Sequence, residues 1–124
     1  MTSKSFYESL EIIASERNLD IHDVLEKVAV AMKKACQLEG IEGDIQVEFN
    51  PELKKIRVFS VRTVVDEIDP EGPEGQILLD AAKELKSRVR VGSVIKREVN
   101  FEKEVGRKGA SQFKQIFTQG LKEL

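Results

Sequence analysis

The chain has almost none of the residues that cross-link small proteins through covalent bonds or metal ions. Cys36 is its only cysteine, so no internal disulfide can form. His22 is its only histidine, and without a second histidine or a cysteine cluster a zinc site of the usual composition is excluded. The fold must therefore depend on a packed apolar core, which 124 residues can form without such support.

Long apolar runs and a secretion signal are also missing. No segment is apolar over the length needed to cross a bilayer, and Met1–Ser9 is polar with no cleavage-type segment after it. We therefore expect a cytoplasmic protein that does not associate with membranes, and a single cysteine is compatible with that compartment.

The sequence offers no plausible set of catalytic groups, such as a nucleophile beside a base or two carboxylates across a cleft. His22 falls in the first turn of a predicted helix, where a solvated or capping histidine is commoner than a ligand or pH switch. Cys36 lies on an apolar stripe and is interpreted as a small core side chain. Asp66 and Glu67 would point to opposite faces of a strand, and with Asp69 they are interpreted as structural or solubilising acids. We predict a protein that is not an enzyme and has neither metal nor cofactor.

Charge is plentiful, and its sign changes along the chain. The net charge is −2, but residues 39–82 contain 11 acidic and 4 basic side chains, whereas residues 83–114 contain 10 basic and 4 acidic ones. If the two segments lay on different faces, one end of the molecule would repel nucleic acid and the other would attract it. The commoner explanation of such a charge run is a solvated face.

Apolar spacing predicts helices in the first third of the chain and at its end. An amphipathic helix is expected over residues 4–17, and a second over residues 21–38, with Asp20 as its N-cap and an end near Gly40. Helical spacing returns at Ile77–Leu85 and again in a final helix over residues 109–124.

Alternating spacing predicts strands in the middle of the chain. Residues 44–49 alternate between polar and apolar, and another strand is expected from Val94 to about Phe101. The β-rich run Lys55–Ile68 is long for one strand, so we expect a bend or bulge near Ser60–Thr63 to divide it. These elements predict an α+β fold with two N-terminal helices, a small mixed sheet with an inserted helix, and a long C-terminal helix, in the order α-α-β-β-β-α-β-α. The helices are expected to form a body and the sheet a head.

From Phe6 to Leu124 the chain resembles the NusA N-terminal domain family of bacterial transcription elongation, termination and antitermination factors. The resemblance depends on the order and spacing of four stretches: Leu19–Ala35, Val64–Ile68, Ile77–Ala82 with Gly92, and Arg107–Ile116. It implies that residues 1–124 are one domain, which we expect to be cut from a longer protein with S1 and KH modules. The chain departs from the family at Lys108-Gly109. Glycine weakens a helix by about 1 kcal/mol relative to alanine, so we expect the last helix to start late.

The resemblance also implies a partner and a surface. Members of the family dock on bacterial RNA polymerase near the RNA exit channel, chiefly at the flap tip of the β subunit, and modulate pausing, termination and antitermination. Arg107, Lys108 and Lys114 are the basic residues expected to face the polymerase or RNA, with Lys33 and Lys34 as possible additions. We expect a monomer that binds the flap tip in a groove between its first and last helices, and that contacts the nascent RNA hairpin weakly and without sequence preference.

Two alternatives come from other functional classes. One is a free-standing, nonspecific RNA-binding protein that uses the basic segment 83–114, although the acidic total charge and the lack of interleaved aromatics count against it. Gly106-Arg107-Lys108-Gly109 also matches the loop of the KH module, but a KH domain needs that loop between two helices and followed by its own sheet. The other alternative is a small enzyme, which the missing catalytic groups make improbable.

Overall fold

The structure is a computed structural model that describes residues 4–124. Its elements in chain order are α1 Lys4–Glu16, α2 Ile21–Leu38, β1 Asp44–Asn50, β2 Lys55–Val65, β3 Gln76–Leu78, α3 Leu79–Leu85, β4 Val94–Val99, α4 Phe101–Glu104 and α5 Arg107–Lys122. The predicted α+β class is confirmed, and so are the two N-terminal helices and the long C-terminal helix. The first three residues of the polar segment Met1–Ser9 lie outside the described residues.

The helix α2 is the centre of the fold. Asp20 caps it as expected, with the carboxylate accepting a hydrogen bond of 2.8 Å from the amide of His22. Its apolar stripe faces the core along the whole helix and consists of Val24, Leu25, Val28, Ala31, Met32, Ala35 and Cys36. The neighbours that bury this stripe include α1, β1 and α5.

The strand β2 is the axis of the sheet. It pairs antiparallel with β1 along one side and antiparallel with β4 along the other, since both partners share residues 58–61. The short β3 runs parallel to β2 at Thr63–Val65. It lies on the same side of β2 as β1, which pairs with the earlier residues of that strand. Gly75 makes this junction possible: its φ is +82°, and a Cβ there would collide with the carbonyl oxygen of Val61.

The expected division of the β-rich run near Ser60–Thr63 is wrong. The strand β2 is continuous from Lys55 to Val65, because β4 pairs with it through Ser60, Arg62 and Thr63 without interruption. The buried hydroxyl of Ser60 donates a hydrogen bond to the carbonyl of Glu42, so a polar residue fits inside the strand. The strand ends at Val65, and Asp66 and Glu67 form a bend rather than its last residues.

Two other boundaries differ from the predictions. Ile77 belongs to β3 rather than to a helix, so the inserted helix begins two residues later, at Leu79. The strand β4 ends at Val99, because the side chain of Asn100 accepts a hydrogen bond from the amide of Lys103 and starts the four-residue helix α4. The observed order of elements is therefore the predicted one with α4 added before the last helix. The third strand of that order is Gln76–Leu78, and not the second half of the run Lys55–Ile68.

The sheet and the helices share one main core, so the expected body and head are only partly separate. Ile45, Ile56 and Val58 are almost fully buried from the sheet side, and Leu10, Met32 and Phe113 meet them from the helices. A second, smaller core lies under α3 and contains Val64, Ile77, Ala82 and Val89. Within residues 4–124, none of the helices has the length and apolar character needed to span a bilayer.

Candidate partner-binding surface

The helices α2 and α5 run antiparallel, and two contacts define their register. Near the start of α5, the amide of Gly109 donates a hydrogen bond of 2.9 Å to the carboxylate of Glu39, which follows α2. Near the other end, Lys27 of α2 lies 3.1 Å from the carboxylate of Glu123. The first turn of α5 therefore sits beside the end of α2, and its last turn beside the beginning.

The helix α5 begins at Arg107, so the expected late start is wrong. Its N-cap residue, Gly106, has no side chain to satisfy the free amides of the first turn. Glu39 supplies the acceptor instead, and its negative charge is favourable at the positive end of the helix. The cap comes from a residue 70 positions earlier in the chain. No local sequence pattern could have indicated it.

Gly109 is buried because Glu39 and Val105 lie directly against it. A Cβ on Gly109 would lie 2.6 Å from Cγ1 of Val105 and 2.8 Å from Cγ of Glu39. The glycine therefore permits close packing between α2 and α5, which offsets its low helix propensity. Arg107, Lys108 and Gly109 are helical, so the Gly-x-x-Gly sequence does not form a loop.

The basic residues predicted on α5 are all exposed. Arg107 and Lys114 are seven residues apart, which is about two helical turns, so they lie on the same face; Lys108 lies beside Arg107 in the first turn. None of the three forms an ion pair with any residue of the described chain. Their charges are free to meet an anion from outside.

The structure gives the two residues of the predicted pair, Lys33 and Lys34, different surroundings. Lys33 is half-buried and lies 3.2 Å from Glu74 and 3.8 Å from Asp44, so it joins α2 to the loop before β3 and to β1. Lys34 is exposed and has no ion pair within residues 4–124. The antiparallel register places Lys34 level with the turn of α5 that contains Phe113 and Lys114. Lys34 is therefore available to an anion from outside, as the cations of α5 are, and Lys33 is not.

An apolar groove lies between α2 and α5 and has a volume of ≈ 290 Å³. Val30 is 52% exposed at its edge, Ile116 is half-buried, and Lys27 and Glu123 close one end with their ion pair. The sequence led us to expect a groove between the first and last helices, but the wall opposite α5 here is α2. Together, the groove and the free cations on α5 and Lys34 form what we call the α2–α5 surface.

The remaining basic residues of the segment 83–114 are not all free. On β4, Lys96 lies 2.8 Å from Glu48 of β1, and Arg97 lies 2.9 Å from Glu104 of α4. Glu98 of the same strand accepts from Arg57 of β2 at 2.9 Å. Residues of the acidic segment 39–82 therefore form ion pairs with residues of the basic segment 83–114 in the sheet, and the two segments do not occupy separate faces.

The open face of the sheet shows how these charges pack. Phe59 is only 7% exposed although it belongs to neither of the two apolar cores. The guanidinium of Arg57 lies 5.0 Å from the centre of its ring, and the ammonium of Lys96 lies 4.3 Å away on the ring face. These two side chains cover the aromatic ring, so their role is structural.

The residues considered as catalytic candidates are not assembled into a site. His22 is exposed, and Cys36 is fully buried. Burial raises the pKa of the Cys36 thiol to about 11, with the nearby Glu104 carboxylate adding to the rise, so the thiolate needed for nucleophilic attack is disfavoured. No group of three or more potential metal ligands occurs within residues 4–124.

Asp66, Glu67 and Asp69 lie on the surface, and Asp69 helps to shape the loop before β3. The side chain of Gln76 accepts a hydrogen bond of 2.8 Å from the amide of Asp69 and donates to its carbonyl. It also donates to the carbonyl of Pro73. Sequence reasoning missed Gln76 because the partners of a single glutamine give no periodic signal.

Comparison with known proteins agrees with this architecture. The chain matches the family model of the NusA N-terminal domain over residues 5–124. It is 29% identical to the transcription termination/antitermination protein NusA of Thermus thermophilus, covering 98% of this chain and 33% of that protein. The corresponding protein of Bacillus subtilis is also 29% identical, with 98% of this chain and 32% of the relative covered. The chain thus spans about a third of the length of these relatives.

The fold is similar to a solved structure of the same kind. The solution structure of the N-terminal domain of NusA from Bacillus subtilis aligns with 99% of this chain and 97% of its own, at a TM-score of 0.52 and 27% sequence identity. Relatives of this chain are named as transcription factors and not as enzymes. The family match covers nearly the whole chain, and the chain therefore belongs to the NusA N-terminal domain family of transcription termination and antitermination factors.

Proposed function

We propose that this domain docks on bacterial RNA polymerase beside the RNA exit channel, at the flap tip of the β subunit, and there modulates pausing, termination and antitermination. The observation that carries the proposal is the α2–α5 surface. Arg107, Lys108 and Lys114 are free cations on the exposed surface of α5, and the apolar groove beside that helix has Val30 and Ile116 on its two walls.

The groove suits a short amphipathic helix. Such a helix binds by placing its apolar side chains between two neighbouring helices. Val30 and Ile116 offer apolar contact across the groove, and the side chain of Lys27 packs directly against Gly120 on its floor. Cations around an interface mainly increase the rate of association and set its salt dependence. Arg107 and Lys114 would therefore steer the domain onto an acidic surface, and the groove would hold it there.

Contact with the nascent RNA hairpin is proposed to be weak and independent of sequence. The six phenylalanines and the tyrosine are all buried or half-buried, so no exposed aromatic ring is available for base stacking. Phosphate contacts from a few cations give an affinity that falls steeply with added salt. Useful RNA contact would then require the polymerase to hold the domain beside the transcript, where effective concentration replaces affinity.

The flap tip and RNA can be separated by one binding experiment. The domain is passed over immobilised flap-tip peptide and, in parallel, over an immobilised RNA hairpin, each at low and at high salt. We expect retention on the peptide at both salt concentrations and retention on RNA at low salt only. Tight, salt-insensitive RNA binding without peptide binding would contradict the proposal and favour the free-standing RNA-binding protein.

A transcription assay tests the activity itself. The domain alone, added to halted polymerase complexes at a hairpin-stimulated pause site, should lengthen the pause. Val30→Asp on the exposed edge of the groove should abolish the effect while leaving the domain folded. A pause lengthened equally by the parent and this variant would show that the groove is not the docking site.

A further inference from the structure

A second cleft lies away from the groove, where the main core and the small core under α3 adjoin. It has a volume of ≈ 480 Å³ and is bounded by the loop after α2, the inner side of β2 and β4, and the end of α3. Ile41 and Ile95 are half-buried on its walls, and Leu85 is 59% exposed at its rim. The cleft therefore offers an apolar surface that the chain itself does not cover.

Arg62 lines this cleft with one hydrogen-bonding group unused. Its Nε is buried and has no hydrogen-bond partner. Among residues 4–124, no other buried side-chain nitrogen or oxygen lacks a partner. One terminal nitrogen of the same guanidinium lies 2.9 Å from the carboxylate of Glu42. The side chain of Glu42 is 72% exposed to solvent, so this ion pair contributes little to the stability of the fold.

A second guanidinium lies beside the first. Arg97 pairs with Ser60 and Ile95 pairs with Arg62 in the register of β4 and β2, so the two arginines are diagonal neighbours on one face of the sheet. Arg97 is bound to Glu104 at 2.9 Å but remains 53% exposed. The cleft thus combines two guanidinium groups, each paired with one glutamate, and an apolar wall.

We infer that this cleft binds a short peptide segment in which an apolar side chain lies next to a carboxylate. A carboxylate that approaches the guanidinium of Arg62 from the side can accept from Nε and a terminal nitrogen together, which a single bond to Glu42 does not achieve. It would displace the exposed Glu42 and satisfy the buried Nε–H. The apolar side chain of the peptide would lie against Ile95 and Leu85.

The chemistry of the cleft favours an acidic peptide over RNA. Nucleic-acid sites on single strands combine cations with exposed aromatic rings, and no aromatic residue lines this cleft. A phosphodiester has no apolar group to place against Ile41, Ile95 and Leu85. The two glutamates that already hold the arginines also show that carboxylates fit these positions.

The test is an NMR titration of the 15N-labelled chain with the peptide acetyl-Leu-Asp-Leu-Glu-amide. The neutral peptide acetyl-Leu-Asn-Leu-Gln-amide and a short oligouridylate serve as comparisons. We expect saturable shifts of the Arg62 Nε–H signal and of the Ile41 and Ile95 amides with the acidic peptide only. Arg62→Lys keeps the charge but removes the side-on geometry, so it should weaken binding about tenfold.

A matched control and a second variant keep the result interpretable. Arg57 is also an arginine of β2 bound to a glutamate, but it lies on the open face of the sheet, so Arg57→Lys should leave peptide affinity unchanged. Leu85→Ser should weaken binding without affecting the fold, because Leu85 is exposed. Absence of saturable shifts, equal shifts with the neutral peptide, or the same shifts with oligouridylate would each overturn the inference.

Discussion

Two basic stretches, which the sequence presents as parts of one segment, differ in what their charges do. On β4, Lys96 and Arg97 are each bound to a glutamate of another element. On α5, Arg107 and Lys114 have no ion pair with any described residue. The first pair fastens the sheet to its surroundings, and the second is available to a partner.

The difference follows from where the two elements lie. Lys96 reaches Glu48 of β1 across the intervening strand β2, and the short helix α4 that follows β4 brings Glu104 within reach of Arg97. The outer face of α5 has no neighbouring element, because its inner face alone, with Gly109, Phe113 and Gly120, packs against the rest of the molecule. A count of charges along the chain is therefore a poor guide to which charges can bind something.

The largest expected effect concerns the core that supports both stretches. Val28 of α2 is fully buried, so Val28→Asp places an unpaired charge in apolar surroundings and should destabilise the fold by more than about 4 kcal/mol. Val30 lies two residues away and is 52% exposed, so Val30→Asp should cost less than about 1 kcal/mol. Thermal melts followed by circular dichroism measure both. Equal melting temperatures for the two variants would show that the assignment of the buried face of α2 is wrong.

A smaller effect separates the two glycines at the start of α5. Gly109→Ala should destabilise the fold by about 1–2 kcal/mol, because its Cβ would press against Val105 and Glu39 and break the cap, despite the better helix propensity of alanine. At Gly106 the nearest atom to an added Cβ is 3.5 Å away, so Gly106→Ala should cost only the poorer N-cap preference of alanine, less than about 1 kcal/mol. Urea unfolding curves give both values. A stabilising Gly109→Ala would contradict the close packing of α2 and α5.

The smallest effect is on acid stability and concerns the paired stretch alone. The hydrogen bond from Arg97 lowers the pKa of the Glu104 carboxyl from its usual 4.5, and the one from Arg57 does the same for Glu98. Because the pKa is lower in the folded state, these pairs stabilise the protein fully above 4.5 and lose their contribution as the pH falls through the lowered values. Arg97→Ala should therefore flatten the decline of the melting temperature in acid. Arg107→Ala should leave that decline unchanged, and if both variants altered it equally, the distinction between paired and free charges would fail.

The sequence predicted what depends on periodicity. Apolar stripes located α1, α2 and α5, and the alternation of residues 44–49 located β1, because each pattern comes from one element facing one core. The misplaced boundaries depend on partners from elsewhere in the chain. The strand β2 stays continuous through Ser60 because β4 pairs with it there, and α5 starts at Arg107 because Glu39 caps it.

The candidate surface was predictable only in part, for a related reason. Resemblance to the family indicated Arg107 and Lys114, but nothing local shows that Lys33 is bound to Glu74 while its neighbour Lys34 is free. The groove was expected between the first and last helices. All three long helices are amphipathic, and amphipathicity does not say which two of them pack together. The close approach of α2 and α5 at Gly109 and Gly120 makes them the pair.

The most direct test compares the two basic stretches in one binding experiment with bacterial RNA polymerase. The double variant Arg107→Ala with Lys114→Ala should lower affinity about tenfold at low salt and keep the melting temperature of the parent. The double variant Lys96→Ala with Arg97→Ala should keep the affinity within about twofold and lower the melting temperature. If the β4 variant lost as much affinity as the α5 variant, or if the α5 variant bound like the parent, the assignment of the free cations on α5 to partner binding would be contradicted.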